Sequence, residues 1–351
     1  MSTYEKLAGF PLEIDGYALE PLERQVSSDF TRLSTVIRIR GGGKEGVGED
    51  VTYDALDHIA LQEAGAVQPL KGKQTVGEFC SMVGELDLFP APPERDVSRL
   101  YRRWAFESAA LDLALRQAGS SLAAALDREP APVTFVVSLR LGEPPTIGPV
   151  RRRLDRYPTL RFKLDPTSSW SDELIEELVE TGAVDSVDFK GLYTGTIVDQ
   201  PPDPDLYRRV VEAFPDAWIE DPALTDETSA VLAGHEDRIT WDAPIHGIAD
   251  IEALPFPPRM VNVKPSRLGG LEPLLDCYDY LAARDIGAYG GGQFELGPGR
   301  GQIQYLASLF HPGTPNDVAP GGYNEADPPP GLPESPLEPA HSATGFRWGS
   351  D

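Results

Sequence analysis

The chain has 351 residues and carries 31 Lys and Arg against 56 Asp and Glu, a net charge of −25. A field of that sign repels nucleic acid and anionic membranes, and excludes both as expected partners. No run of about 18 apolar residues occurs, and Met1 to Glu5 lacks the basic start and apolar core of a signal peptide, so a soluble, cytoplasmic protein is expected.

The length suits one large barrel, or a barrel with a smaller domain. Cys80 and Cys277 fit no metal-ligand spacing and no disulfide framework, and read as buried thiols. Lysine is scarce: Lys6, Lys44, Lys71, Lys73, Lys163, Lys190 and Lys264 are the whole set. An acidic, lysine-poor surface suits high salt, although a GC-rich genome also favours arginine.

In chain order, Leu12 to Glu20 and Ser34 to Arg40 alternate apolar and polar side chains as half-buried strands do. The glycines from Gly41 to Gly46 turn the second strand into Val47-Gly48-Glu49, a hairpin or meander. Helical patterns follow over Tyr53 to Ala64, Thr75 to Val83 and Arg99 to Gln117. This order predicts an α+β domain over residues 1–130. The rhythm then changes to strand and helix in alternation. Strands are expected at Val133 to Val137, Leu160 to Leu164, Val184 to Phe189, Ala217 to Ile219, Arg238 to Trp241, Met260 to Val263 and Ile286 to Tyr289, with a weak one near Leu309. Eight such strands predict a closed parallel barrel over residues 131–323. Residues 324–351 are rich in proline and read as an irregular tail packing on the surface or on the first domain.

Charged residues close five successive predicted strands: Lys163, Asp188, Glu220, Asp242 and Lys264. In such barrels, that end of the strand is where catalytic groups sit. Three carboxylates converging on one mouth are costly to bury unless a cation neutralises them, and an all-oxygen set favours Mg²⁺, with Mn²⁺ as a substitute. The second and sixth strands of an eight-stranded ring are opposite, so Lys163 and Lys264 are expected to face each other across the mouth. Arg161, two residues before Lys163, is expected on the same side, lowering the lysine's proton affinity. The chemistry this serves is removal of a proton α to a carboxylate, with the metal stabilising the enediolate.

With these residues in place, the sequence resembles the enolase superfamily, and within it the muconate-lactonizing-enzyme branch; a lysine base acting with Mg²⁺ is an established pattern of that superfamily. Gly46-Val47-Gly48-Glu49 and Arg103 to Leu113 resemble its capping-domain motifs. Arg161-Phe162-Lys163 stands where the family has a Lys-x-Lys pair, and the run from Lys264 to Gly270 resembles its sixth-strand motif. Gly291 to Gly299 is similar to the seventh-strand segment of o-succinylbenzoate synthases and N-acylamino acid racemases. The resemblance implies a modified (β/α)7β barrel with an N-terminal α+β capping domain. It also implies Lys163 and Lys264 as catalytic residues, and Asp188, Glu220 and Asp242 as metal ligands.

Arg161, Lys190, Ser266, Gln293, Glu295 and Asp317 are candidate substrate-binding residues, with loop residues Ser27 to Phe30 assisting. A small carboxylate is the expected partner, in a homo-oligomer. The reactions implied are racemisation or epimerisation, syn-elimination and cycloisomerisation. Asn316-Asp317-Val318 lacks the Asp-x-Asp of dipeptide epimerases, which argues against that substrate class. A sugar-acid dehydratase is disfavoured because no histidine stands on the seventh strand. Lys190, two residues past Asp188 where relatives carry asparagine, either competes with the metal or contacts an anionic substrate. The alternative function is a carboxylate-binding barrel in which Lys190 replaces the metal. His246 reads as pocket lining or as an ordinary loop histidine. The glycines from Gly290 to Gly301 lack the context of a phosphate loop.

Overall fold

Two antiparallel sheets open the chain in the computed structural model, which describes residues 1–27, 30–193 and 200–349. Strand β1 (Pro11–Ile14) is followed by β2 (Gly16–Ser27), β3 (Phe30–Gly41), β4 (Lys44–Asp50) and β5 (Gly72–Thr75). β2, β3 and β4 form the expected meander, while β1 pairs with β5. The single strand expected over Leu12 to Glu20 is therefore two. The chain breaks at Asp15, whose N–H donates to the Arg40 carbonyl, and each half pairs with a different partner. The tip of the Ser27 to Phe30 loop, residues 28 and 29, lies outside the described residues.

The long helix Ser98–Ala118 lies across the meander and is buried over most of its length. Its contact with β4 is backbone against backbone. A Cβ on Gly46 would stand 2.2 Å from the Ala109 carbonyl oxygen, and one on Gly48 would stand 2.1 Å from that of Ala105. Glycine on the strand opposite alanine on the helix is what lets the two approach.

The second half holds a five-stranded parallel sheet, β6 (Val137–Leu139), β7 (Phe162–Leu164), β8 (Val184–Asp188), β9 (Trp218–Glu220) and β10 (Ile239–Thr240), in spatial order β10-β9-β8-β7-β6. A parallel pair follows, β11 (Met260–Val263) with β12 (Gly287–Gly290). Isolated parallel bridges join these pieces: Trp241 to Val261, Gly291 to Asp317, and Phe135 to Asn316. Helices Gly148–Arg156, Asp172–Thr181, Pro204–Ala213, Asp226–Leu232, Leu271–Ala283 and Pro298–Phe310 alternate with the strands. Right-handed crossovers place such helices on the faces of a parallel sheet and leave the strand ends to loops. Among the described residues no helix is long and apolar enough to cross a membrane.

The strand expected near Leu309 is a correction. Leu309 lies inside the helix Pro298–Phe310, and the extended contacts are made seven residues later, at Asn316 and Asp317. Helix burial supplied the apolar signal there, since Leu306, Ala307 and Leu309 face inward. The tail runs irregularly over both halves: Leu337 bridges to Val133, the Leu332 N–H donates to the Tyr157 hydroxyl at 3.0 Å, and Phe346 N–H and Arg347 both donate to Asp112 of the long helix.

His311 secures the last of these joints. Its Nδ1 stands 2.6 Å from Asn316 Oδ1, its Nε2 3.1 Å from the Tyr278 hydroxyl, and Asn316 Oδ1 also accepts the Gly290 N–H at 2.6 Å. Burial pushes the imidazole pKa down to about 4. Because the folded value lies below the unfolded one of about 6.5, the unfolded chain binds more protons between the two, and stability falls as pH drops through that window. Full development of the effect is worth about 3 kcal/mol. Urea unfolding of wild type and His311→Gln at pH 7 and pH 4 tests this: the difference between the two midpoints shrinks at pH 4, and an unchanged difference would refute it.

Candidate active site

Lys163, Asp188, Glu220, Asp242 and Lys264 come together because each lies at or just past the carboxyl end of a parallel strand. All five are buried. The Lys163 ammonium donates to Glu220 Oε1, stands 3.1 Å from Asp188 Oδ2, and is 3.6 Å from Asp317 Oδ2. Lys264 donates to Asp242 Oδ2 at 2.7 Å. Above them opens a cavity of about 720 Å³ whose wall includes Lys163, Lys264, Lys190, Gln293 and Asp317. That size suits a small organic ligand. Among the described residues its lining holds seven cations, Lys163, Lys190, Lys264, Arg95, Arg140, Arg267 and Arg300, against the carboxylates Asp165 and Asp317. Each of these cations also meets a carboxylate at or behind the wall, among them Lys264 and Arg267 with Asp242 and Arg300 with Glu295.

The carboxylates below are crowded. Asp188, Glu220 and Asp221 offer oxygens within 4.8 Å of one another, all buried. Asp221 replaces the expected Asp242 in that trio. Its two oxygens accept the N–H groups of Asp242 and Ala243 at 2.9 and 2.8 Å, so it also clamps the turn carrying Asp242. Asp242 is engaged on both sides: Oδ1 accepts from Arg267 at 2.8 Å, and Oδ2 accepts from Lys264 and from Tyr193 at 2.9 Å. Burial drives the Glu220 carboxyl well above its ordinary range, with Asp188 adding to the shift. Burial opposes ionisation of Asp188 too, but Lys190 and Lys163 outweigh it and hold that carboxyl below its usual range. Burial, Asp242 and Asp188 raise Asp221 to about 7. An oxygen-only donor set under this much like-charge crowding fits a hard dication.

The two lysines differ. Burial disfavours both ammonium forms, yet Glu220 and Asp188 more than offset it for Lys163, whose proton affinity is raised. At Lys264 burial prevails, assisted by Arg267 and Lys163 against Asp242, and its pKa falls below the usual lysine value. The expectation of a lowered Lys163, driven by Arg161, is thus corrected. Arg161 precedes β7, at the amino end of the strand, whereas the cavity lies at the carboxyl ends. Arg161 instead donates to Asp185 through Nε at 2.9 Å and to the Gly182 carbonyl, away from the cavity.

The other expected substrate contacts divide. Gln293 lines the cavity and its Nε2 donates to the Tyr101 hydroxyl at 3.2 Å. Asp317 and Lys190 also line it. Glu295 lies behind the wall, accepting the Gln293 N–H at 2.6 Å and pairing with Arg300 at 3.0 Å. Ser266 is buried in the turn Pro265–Leu268, outside the cavity lining. His246 is likewise outside it; its N–H donates to Asp250 at 2.9 Å. At Gly291 a Cβ would meet Lys264 Cε at 2.7 Å, so the missing side chain makes room for the lysine stem.

Several groups were not singled out by sequence. Tyr289 donates to Glu220 Oε2 from β12, Tyr193 reaches Asp242, and Tyr53, Arg95 and Tyr101 enter the cavity wall from the first half of the chain. Arg267 carried a usable signal: three residues past Lys264 across one helical turn, it returns to the same side. Two buried side chains tie the halves together. Arg32 donates to the carbonyls of Val51 and Thr52, and of Gln293 at 3.0 Å and Phe294 at 3.3 Å. Glu49 accepts the N–H groups of Leu296, Gly297 and Gly299 at 2.6, 2.9 and 3.0 Å.

Comparison with known proteins gives this geometry a setting. Residues 5–125 match the N-terminal, and residues 129–325 the C-terminal, domain of the family described as domain of unknown function DUF8230. The o-succinylbenzoate synthase of Geobacillus stearothermophilus is 26% identical over 229 residues, covering 61% of this chain and 58% of that protein. The match thus spans little more than half the length of that relative. Among solved structures, the dipeptide epimerase of Methylococcus capsulatus complexed with Mg ion superposes with a TM-score of 0.64 at 20% identity, covering 96% of this chain and 100% of the other. The muconate lactonizing enzyme of Pseudomonas putida gives 0.62 at 17% identity over 95% and 96%. An enolase superfamily member from Listeria innocua gives 0.62 at 19% identity over 88% and 84%. The chain belongs to the DUF8230 family, and its fold is that of enolase superfamily members, the muconate lactonizing enzyme among them.

Proposed function

We propose that this chain is a Mg²⁺-dependent enzyme that moves a proton α to a substrate carboxylate, with Lys163 and Lys264 as its acid/base pair. The observation that carries the reading is the pair of lysine ammonium groups in the wall of a cation-rich cavity, directly above a floor of buried carboxylates. The parallel strands and the bridges between them support a (β/α)7β barrel over residues 131–323, capped by residues 1–130 and wrapped by the tail 324–351. In such a ring β7 and β11 stand opposite each other, so the two lysines address opposite faces of one carbon.

Asp188, Glu220 and Asp242 are the proposed metal ligands, and Asp221 is the residue that holds Asp242 in place. Mg²⁺ at this position supplies the charge that makes an α-proton of a bound carboxylate acidic enough to remove. Of the two lysines, one takes the proton from carbon and the other returns it or steadies charge. Gln293, Asp317 and the arginines of the wall position the rest of the substrate, a small carboxylate. In syn-elimination or cycloisomerisation one lysine takes the proton and the other steadies charge. Racemisation and epimerisation require both lysines to exchange protons. A carboxylate-binding barrel without turnover is the second reading, favoured by the contact of Lys190 with Asp188.

Deuterium exchange at the α-carbon of a panel of N-acyl amino acids and other carboxylates, in D₂O with Mg²⁺, tests the assignment. Lys163→Ala and Lys264→Ala each lower exchange by about 10²-fold or more, the usual worth of general acid–base groups. Exchange that survives loss of both lysines would sink it. The ligand assignment is checked by Mn²⁺ titration. Asp188→Asn and Asp242→Asn abolish binding, whereas Asp221→Asn weakens it by about tenfold through misplacement of Asp242. The reverse ranking of Asp221 and Asp242 would transfer the third ligand to Asp221.

A further inference from the structure

Lys190 is the one cavity lysine that the proposed chemistry does not use, and its placement is unusual. It follows β8 with φ of +53°, a left-handed conformation that non-glycine residues seldom adopt. The turn folds the residue back on Asp188. Its N–H donates to Asp188 Oδ1 at 3.1 Å and its ammonium pairs with Oδ2, so one residue closes both oxygens of that carboxylate. A second partner waits beside it. Asp165 Oδ1 is buried, has no hydrogen-bond partner, and lies 4.0 Å from the Lys190 Nζ. The other oxygen of Asp165 accepts from Arg140 at 3.1 Å. A buried carboxylate oxygen left without a hydrogen bond beside an ammonium is an acceptor in reserve.

We propose that Lys190 is a tethered cation with two stations: it closes Asp188 in the metal-free chain and shifts to Asp165 when a divalent ion takes Asp188. The shift rests on the metal reading above and deepens it. It covers Asp188 before the ion arrives, makes the ion compete with an internal ammonium, and leaves the displaced ammonium in the cavity wall where an anionic substrate binds. Metal affinity is then set jointly by Lys190 and Asp165.

Mn²⁺ binding to the full chain, measured by electron paramagnetic resonance without any organic ligand, tests this through a double-mutant cycle. Asparagine tolerates the left-handed turn and removes the charge, so Lys190→Asn binds Mn²⁺ at least tenfold more tightly than wild type. Lys190→Gly serves as the second variant should the first fold poorly, with the same expectation. Asp165→Asn removes the second station and weakens Mn²⁺ binding at least fivefold, but has no effect once Lys190 is Asn. Equal affinity in wild type and the Lys190 variants overturns the inference while leaving the metal reading intact. An Asp165→Asn effect of the same size in both backgrounds overturns the two-station exchange. Absence of Mn²⁺ binding in wild type and variants alike overturns the metal reading and this inference together.

Discussion

Buried charge is the constraint on which the second half of this molecule depends. Five carboxylates, Asp165, Asp188, Glu220, Asp221 and Asp242, share one enclosed volume with four cations, Lys163, Lys190, Lys264 and Arg267. Removing an unpaired ion from water costs many kcal/mol, so the contacts among these groups are obligatory. Five against four leaves one negative charge when all are ionised, and burial with the neighbouring Asp188 pushes the Glu220 carboxyl well above its ordinary range. On the proposed reading a dication reverses that imbalance by one unit, which a substrate carboxylate then matches. On that reading the site exchanges internal ammonium contacts for a metal and an anion.

The first half of the chain takes part in this through the segment after β12. Arg32 holds the carbonyls of Gln293 and Phe294, and Glu49 holds the N–H groups of Leu296, Gly297 and Gly299. Both side chains are buried and both act on backbone, so they set the position of the loop that carries Gln293 toward the cavity. Tyr53, Arg95 and Tyr101 complete the wall from the same side. The glycine-against-alanine packing of β4 on the long helix gives Glu49 its fixed platform.

Strand ends were readable where charge interrupts an apolar run, as at Lys163, Asp188, Glu220, Asp242 and Lys264. Periodicity failed where tertiary pairing intervened. Arg161 and Lys163 part company because Arg161 stands before β7 and is drawn to Asp185 and the Gly182 carbonyl there, and Leu12 to Glu20 divides because its two halves find different partners. Leu309 looked extended because a buried helix and a buried strand share the same short apolar runs. Tyr193 and Tyr289 gave no local signal, since a tyrosine is ordinary in sequence until its hydroxyl meets a buried carboxylate.

By itself, then, the order of residues determined the alternation of strands and helices, the sign of the surface, and which residue types stand at the strand ends. These are local quantities, dictated by side-chain period and by the cost of interrupting an apolar strand with charge. Only the tertiary structure decided who neutralises whom: that Asp221 crowds Asp188 and Glu220 while Asp242 is held by Lys264, Arg267 and Tyr193, and that Lys190 closes Asp188. Those partnerships join residues from different strands and loops, and their energies depend on distances of a few ångströms and on exclusion of water, neither of which spacing along the chain encodes.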